Sequence, residues 1–277
     1  MRRFASLAAV SATQIASVDG RISATTEAVL PLPDDGLFRG DGVFEVIRLY
    51  AGRPFALGDH LDRLERSAAA IALPVDREAI ETELTPLLAE HGDGDAQLRL
   101  IVTRGGRRIL LIEALAARAE SVALATVSYE PTVILNRVKS LSYAANMHAT
   151  RIAAERGADE AVFVTVGGTV LEPPTSTVFW AGADGMLKTP SLDVPILDSI
   201  TRDRLLGALA VEEGEFAVDD LRSASEAFLA STTREVQPVR AIDGRELAWP
   251  GPGTTTAAEA FARIVETELA VAPGERA

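Results

Sequence analysis

Short strand-like runs alternate along this chain with segments of helical period, which predicts a mixed fold of sheets and helices. Residues 43–50 read VFEVIRLY, a run rich in β-branched and aromatic side chains. The Ala51-Gly52-Arg53-Pro54 segment that follows is typical of a tight turn before a second strand. Residues 59–72 then repeat leucine, isoleucine or alanine at intervals of three and four. We therefore expect an amphipathic helix there, with Asp59 capping its start.

The same patterns continue to the end of the chain and divide it into two domains. We expect hairpins within residues 15–22, 160–171 and 178–188, strands at 97–103, 109–115, 121–129, 132–138 and 227–231, helices at 76–90, 142–156, 200–211 and 257–269, and a loop at 249–256. A chain of 277 residues is long enough to form two cores. We predict a small N-terminal α/β domain at residues 1–118 and a larger C-terminal domain at residues 119–277. Each would carry a mostly antiparallel sheet with helices packed on it, an α/β fold of the α+β type.

Composition excludes several classes of function. The net charge of -13 makes nucleic acid and anionic membranes poor partners, and no apolar run approaches the roughly 18 residues of a membrane span. The chain has no cysteine, and its three histidines lie far apart, so we expect no metal site. The start of the chain superficially resembles a signal peptide, but the apolar run at residues 4–10 is short and soon interrupted, so we do not expect secretion. We therefore expect a cytoplasmic protein without disulfides.

Two residues have the side chains of a site that forms imines. Lys139 lies between a strand-like segment and a predicted helix, where an apolar setting would lower the pKa of its amine and make it a nucleophile. Glu172 ends a hairpin strand before two prolines, where a carboxylate could pair with a pyridinium nitrogen. Taken alone, each is more simply a solvated surface residue.

Other residues could hold a phosphate. Arg63 lies on the helix after His60 and could bind a phosphate with two hydrogen bonds, although it could equally belong to a charged helix face. His60 itself fits a structural histidine near a helix start. The helix that begins after Ser199 offers free backbone amides, and residues 231–233 offer hydroxyls. Ordinary capping or turn chemistry explains both equally well.

Taken in order, these segments resemble the class IV aminotransferase family, the fold-type IV pyridoxal-phosphate enzymes. The resemblance runs from about residue 16 to residue 245. The blocks that carry it are RGDGVFE at residues 39–45, AGRP at 51–54, HLDRL at 60–64, KSLSYAAN at 139–146, GADEA at 157–161, GTVLE at 168–172, ITR at 200–202, STTREVQPV at 231–239 and IDG at 242–244.

The resemblance implies a cofactor, a fold and roles for these residues. The cofactor would be pyridoxal 5'-phosphate, bound to Lys139 as a Schiff base. Glu172 would keep the pyridine nitrogen protonated, and Tyr143 would lie beside the ring. The larger domain would contain a barrel-like sheet, and the enzyme would be a homodimer. The cofactor phosphate would be held by Arg63, Ile200, Thr201 and Thr232.

The family contains several activities, and the sequence leaves them open. We expect a transaminase that exchanges an amino group between an amino acid, of D- or branched-chain type, and an α-keto acid. The alternatives are a 4-amino-4-deoxychorismate lyase, which releases pyruvate and p-aminobenzoate, and a non-catalytic metabolite-binding relative. Thr177 stands where the family commonly has asparagine, which leaves the surroundings of Glu172 uncertain. The candidates for substrate binding are Arg48, Arg108 and Thr233, with Arg104 and Arg107 beside Arg108.

Overall fold

A computed structural model describes residues 14–182 and 184–270, which form two compact units. Unit 1 contains the described residues up to Ala116 together with Val138–Ser142, and unit 2 contains Ala117–Arg137 and the described residues from Tyr143 onward. The predicted division after residue 118 falls two residues from the first of these boundaries. The short segment around Lys139, which the prediction assigned to the second domain, belongs to unit 1. The apolar run at residues 4–10 lies outside the described residues.

Unit 1 is an antiparallel sheet covered by two helices. Its strands are β1 (Ile15–Val18), β2 (Arg21–Ala24), β3 (Gly42–Tyr50), β4 (Arg53–Pro54), β5 (Ala96–Thr103) and β6 (Arg108–Glu113), in the order β2-β1-β6-β5-β3-β4. Its helices are α1 (Asp35–Arg39), α2 (Leu57–Ala70) and α3 (Arg77–His91). Tight turns join β1 to β2 and β3 to β4, where the paired residues Asp19-Gly20 and Ala51-Gly52 all have positive φ.

The core of unit 1 lies between one face of this sheet and the apolar sides of α2 and α3. It includes Ile47 and Leu98 from the sheet, Leu61 and Leu64 from α2, and Ile80 from α3, all with at most 1% of their surface exposed. The expectation that Asp59 caps α2 is wrong, because the helix begins two residues earlier, at Leu57, and Asp59 lies inside its first turn.

Unit 2 is a mixed sheet with flanking helices. Its strands are β7 (Val122–Ser128), β8 (Glu160–Val164), β9 (Thr177–Ala181), β10 (Leu187–Pro190), β11 (Val211–Gly214), β12 (Glu226–Ser231), β13 (Glu235–Ile242) and β14 (Arg245–Glu246). The order is β11-β10-β9-β12-β13-β7-β8, with β14 paired to β13. The central β10-β9-β12-β13 pairings are antiparallel. The outer pairings are parallel: β11 pairs with β10, β7 pairs with β13, and β8 pairs with β7.

The helices of unit 2 differ from the predicted ones mainly at their ends. They are α4 (Ala144–Glu155), α5 (Ile200–Ala208), α6 (Val218–Arg222) and α7 (Pro252–Ala270), with a short 3-10 turn at Val133–Leu135. The predicted strand at 132–138 is therefore wrong. The predicted loop at 249–256 is also wrong in its second half, because α7 begins at Pro252. Glu226 accepts hydrogen bonds from the amides of Gly253 and Thr254, both at 2.9 Å, and so satisfies the first turn of that helix.

Candidate active site

In unit 1, Lys139 lies on a segment that extends the sheet along the edge of β3. The amide of Phe44 donates to the carbonyl of Lys139 at 3.0 Å, and the amide of Leu141 donates to the carbonyl of Gly42 at 2.9 Å. The amide of Lys139 also donates to Ser67 Oγ on α2, at 3.2 Å. The backbone of Lys139 is thus held by two elements of unit 1, and Lys139 Nζ lies 4.4 Å from the centroid of the Phe44 ring.

The neighbouring strand residue, Glu45, forms a buried charged cluster with α2. Its side chain is on the core face of β3 and has no exposed surface. Arg63 donates to it from Nε at 2.8 Å and from Nη2 at 2.6 Å, and His60 Nδ1 makes a third contact at 2.7 Å. Burial raises the pKa of Glu45, but the Arg63 guanidinium and the His60 hydrogen bond outweigh it and lower this pKa to about 2.

His60 is an uncharged member of the cluster. Burial lowers its pKa below the usual range, against the opposing effect of the Glu45 carboxylate. Since Glu45 is ionised, His60 Nδ1 carries the proton and donates it to this carboxylate. His60 Nε2 is buried and has no hydrogen-bond partner within the described ranges. These contacts agree with the structural role that the sequence suggested for His60.

In unit 2, backbone amides hold both the main chain and the carboxylate of Glu172. Phe163 donates its amide to the carbonyl of Glu172 at 3.1 Å, which fixes the main chain beside β8. Leu197 donates its amide to Glu172 Oε1 at 2.9 Å. Leu197 lies three residues before α5, so this bond connects the Glu172 side chain with the approach to that helix.

Tyr143 and Asn146, at the start of α4, hold the loop that follows Glu172. The Tyr143 hydroxyl donates to the carbonyl of Pro174 at 2.8 Å, and Asn146 Nδ2 donates to the same oxygen at 3.0 Å. The phenol that the resemblance placed beside the cofactor ring therefore also fixes the loop of the expected pyridinium partner.

The N-terminus of α5 offers the donors expected of an anion site. Ser199 is its N-cap and accepts a hydrogen bond from the amide of Arg202. The amides of Ile200 and Thr201 lie in the first turn, where no carbonyl of the same helix can accept them. Thr232 and Thr233 lie in the turn between β12 and β13.

The arginines proposed for the substrate carboxylate all pair with acidic side chains of unit 1. Arg48 donates to Asp95 at 3.0 Å and lies against the Tyr50 ring. Arg108 donates to Glu83 at 2.7 Å. Arg104 and Arg107 bind Asp41 and Asp19. A role in substrate binding would require any of them to exchange a protein carboxylate for that of the substrate.

The chain contains only two lysines, Lys139 and Lys188. Lys188 donates to Asp220 at 2.8 Å, and this hydrogen bond raises its pKa above the usual range. The Lys188 amine is thus engaged in an ion pair with Asp220. Among the side-chain amines, this leaves Lys139 as the candidate for imine chemistry.

Sequence reasoning missed two residues that organise these surroundings. Glu45 ends the RGDGVFE motif at residues 39–45 but was given no role. The only local signal was that its partners His60 and Arg63 are three residues apart and so share a face of α2. Arg234 was also overlooked: it donates to Glu160 and to Thr175 in the loop after Glu172. Its effect depends on contacts between distant strands, which a local pattern does not reveal.

The described residues contain neither a metal-binding cluster nor a membrane-spanning helix. No group of three or more acidic or histidine side chains within residues 14–182 and 184–270 could hold a metal ion. Over the same ranges, no helix has the length and apolar character needed to cross a membrane.

Comparisons with known proteins agree on one family. Residues 42–242 match the family described as amino-transferase class IV. The D-alanine aminotransferase of Listeria innocua is 33% identical over 266 residues, which cover 87% of this chain and 91% of the relative. The aminodeoxychorismate lyase of Bacillus subtilis is 31% identical over 252 residues, covering 82% of this chain and 86% of the lyase.

A solved structure confirms the expected fold. The pyridoxal-phosphate-bound form of a hypothetical aminotransferase from Mycobacterium tuberculosis has a TM-score of 0.82 and 28% identity, covering 92% of this chain and 99% of that one. The family match spans most of the chain, and the relatives exceed 30% identity over most of their length. The protein therefore belongs to the class IV aminotransferases, enzymes that depend on pyridoxal phosphate.

Proposed function

We propose that the protein transfers an amino group between an amino acid and an α-keto acid, with Lys139 as the covalent anchor of pyridoxal phosphate. The observation that carries this proposal is the state of the two lysines. Lys188 donates to Asp220, whereas the Lys139 backbone is fixed beside Phe44 and its Nζ lies 4.4 Å from the centroid of the Phe44 ring.

The residues present fit each part of the cofactor. Lys139 supplies an amine for the aldehyde, and Glu172 supplies a carboxylate for the pyridine nitrogen. Tyr143 would face the ring. The phosphate needs several donors because it is a dianion in a chain of net charge -13. Those donors would be Arg63, the first-turn amides of Ile200 and Thr201, and the hydroxyls of Thr201 and Thr232.

The protein residues then have separate tasks in the reaction. The bound cofactor supplies an electron sink for the bond that breaks at the substrate α-carbon. The Lys139 amine would anchor the cofactor in the resting enzyme, and as a free base it would remove the α-proton of the amino substrate and later return a proton. Glu172 would hold a proton on the ring nitrogen. Because donor and acceptor use one site in turn, the kinetics would be ping-pong.

The proposed substrates are D-amino acids, with branched-chain amino acids as the second choice. The similarity to the Listeria innocua D-alanine aminotransferase supports the first. Thr233 could donate a hydroxyl to the substrate. Arg48 and Arg108 keep the proposed carboxylate role, which they would fulfil by exchanging Asp95 and Glu83 for the substrate.

Lyase activity is the second candidate, favoured by the similarity to the Bacillus subtilis aminodeoxychorismate lyase. The two functions are separated by their products. A panel of D- and L-amino acids with α-ketoglutarate should yield glutamate if the protein is a transaminase. If no donor yields glutamate and aminodeoxychorismate yields pyruvate and p-aminobenzoate, the lyase assignment replaces it. Inactivity in both assays, with no cofactor bound, would favour the non-catalytic relative.

Substitution of each lysine supplies the matched control. Lys139→Ala should abolish amino transfer, because no other side-chain amine can take its place. Lys188→Ala should keep amino transfer, since Lys188 lies on β10 and its amine pairs with Asp220 on α6. If both variants retained activity, the proposed role of Lys139 would be wrong.

We also propose that the enzyme is a homodimer in the cytoplasm. Residues 29–38 expose Val29, Leu32, Leu37 and Phe38, with between 58% and 77% of each surface accessible. Apolar side chains grouped in this way commonly mark a protein interface. The absence of cysteine suits a reducing compartment. Light scattering that gave a monomer in active enzyme would contradict the dimer.

A further inference from the structure

The turn between β12 and β13 is tied to the rest of unit 2 by one arginine. Arg234 follows Thr232 and Thr233 in this turn, and its amide donates to Ser231 Oγ at 3.3 Å. Its guanidinium donates from Nη1 to Gln237 Oε1 at 3.0 Å, and from Nη2 to Glu160 and to Thr175 Oγ1. The Arg234 side chain therefore connects the turn with the β13 strand through Gln237, with Glu160, and with Thr175.

Glu160 gives this arginine a fixed anchor. The side chain of Glu160 at the start of β8 has only 5% of its surface exposed. Its Oε1 accepts the hydroxyl of Thr150 on α4 at 2.9 Å, and its Oε2 accepts Arg234. A buried carboxylate that receives donors on both oxygens holds its partners in a defined geometry. Arg234 is therefore part of a rigid polar network.

The loop after Glu172 is held by the same network. Pro174 is held by Tyr143 and Asn146 from one side, and Thr175 accepts Arg234 at 3.3 Å. Thr175 is three residues from Glu172, and Arg234 is two residues from Thr232. The Arg234 guanidinium is thus a direct hydrogen-bonding link between the loop of the proposed ring partner and the turn of a proposed phosphate ligand.

We propose that Arg234 is a positioning residue that sets the Glu172 loop and the Thr232 turn in one arrangement for the cofactor. The inference rests on the proposed roles of Glu172 and Thr232. Arg234 would not contact the reacting atoms. It would keep the carboxylate that meets the ring nitrogen in register with the hydroxyl that meets the phosphate, so that both bind the same rigid molecule.

The test compares Arg234→Gln with Arg240→Gln. Arg240, on the β13 strand that follows the turn, is a matched control: it pairs with Asp159, the neighbour of Glu160, at 2.7 Å, and its side chain is 35% exposed against 24% for Arg234. The measurement is the rate at which holoenzyme loses pyridoxal phosphate after dilution into a cofactor scavenger, together with the pH titration of the cofactor absorbance band. Thermal unfolding without cofactor reports general damage.

Arg234→Gln should release the cofactor about ten-fold faster or more and shift the titration of the band, because Glu172 and Thr232 no longer act together. Arg234→Lys should recover part of the loss. Thr175→Val removes only the exposed hydroxyl that accepts Arg234 and should speed cofactor release by a smaller factor. This variant keeps the test decisive if Arg234→Gln folds poorly. Arg240→Gln should match wild type in both readouts.

Three results would overturn the proposal. Wild-type release and titration in Arg234→Gln and Thr175→Val would show that the link is dispensable. An equal effect in Arg240→Gln would show general destabilisation. If Arg234→Gln changed only the KM for the amino acid and keto acid substrates in the transamination assay, Arg234 would be a substrate ligand. If wild-type protein itself binds no cofactor, the proposed function fails, whereas the results above leave it intact.

Discussion

The buried Glu45 carboxylate should contribute strongly to the stability of unit 1, and Glu45→Gln tests this. An ordinary glutamate has a pKa of 4.5, whereas that of Glu45 in the folded protein is about 2. A difference of this size corresponds to about 3 kcal/mol of folding free energy at neutral pH. Removal of one partner from a buried ion pair costs about 3–5 kcal/mol in other proteins, which agrees.

The contribution of Glu45 should depend on pH in one direction. The pKa is lower in the folded than in the unfolded protein, so the stabilisation is complete well above pH 4.5 and is lost as the pH falls towards 2. The difference between wild type and Glu45→Gln should therefore shrink from about 3 kcal/mol at pH 7 to about 1.5 kcal/mol at pH 3.

Urea denaturation of apoprotein and holoprotein, followed by circular dichroism, measures this difference. The matched control is Glu113→Gln, which removes a partly exposed pair with Arg99 in the same sheet and should cost at most about 1 kcal/mol. The reasoning is refuted if Glu45→Gln costs no more than this control, or if its cost grows as the pH falls.

Two other changes test the surroundings of the site. Glu226→Gln should destabilise the protein by about 1–3 kcal/mol, since the Glu226 carboxylate accepts hydrogen bonds from the amides of Gly253 and Thr254 and from the Thr254 hydroxyl. Thermal unfolding measures this loss of stability, and an unchanged unfolding midpoint would contradict the prediction. Arg63→Lys should weaken cofactor binding about ten-fold, because an ammonium cannot bind Glu45 through two donors and also present a planar edge to a phosphate. Titration of apoprotein with pyridoxal phosphate measures the affinity, and an affinity equal to that of wild type would remove Arg63 from the phosphate site.

Local patterns predicted the elements whose residues determine their own conformation. The Asp19-Gly20 turn was visible because aspartate and glycine adopt the positive φ of a tight hairpin easily. In the second turn only Gly52 is such a residue, and Ala51 takes a positive φ that its Cβ disfavours. The α3 helix was visible because Asp76 caps it through the amide of Ala79 and because Ile80, Leu84 and Leu87 face the core.

The elements that the sequence did not reveal depend on distant partners. The start of α7 is stabilised by Glu226, which is 26 residues before Pro252. The segment at 138–142 is extended because it pairs with β3, almost a hundred residues earlier, and nothing in its own residues indicates that partner. Likewise, a pattern shows that His60 and Arg63 share a helix face but not that Glu45 lies opposite them.

The site was predicted mainly by family resemblance, since each residue taken alone had an ordinary explanation. The contacts of Glu172 and Tyr143 add a reason for the spacing of the motifs. Glu172 accepts the amide of Leu197 just before α5, and Tyr143 holds the loop that follows Glu172 through the carbonyl of Pro174. The roles assigned to Lys139, Glu172 and the phosphate donors remain proposals that cofactor chemistry can test.

The most direct test of the proposed function is the identity of the lysine that carries the cofactor. Holoenzyme would be reduced with borohydride, denatured and digested with an endoproteinase that cleaves after lysine. Because the sequence has only two lysines, we predict that reduction blocks cleavage after Lys139 and leaves cleavage after Lys188 intact, with the phosphopyridoxyl mass on the uncleaved peptide. Cleavage at Lys139 in the reduced protein, or the label at Lys188, would contradict the proposal.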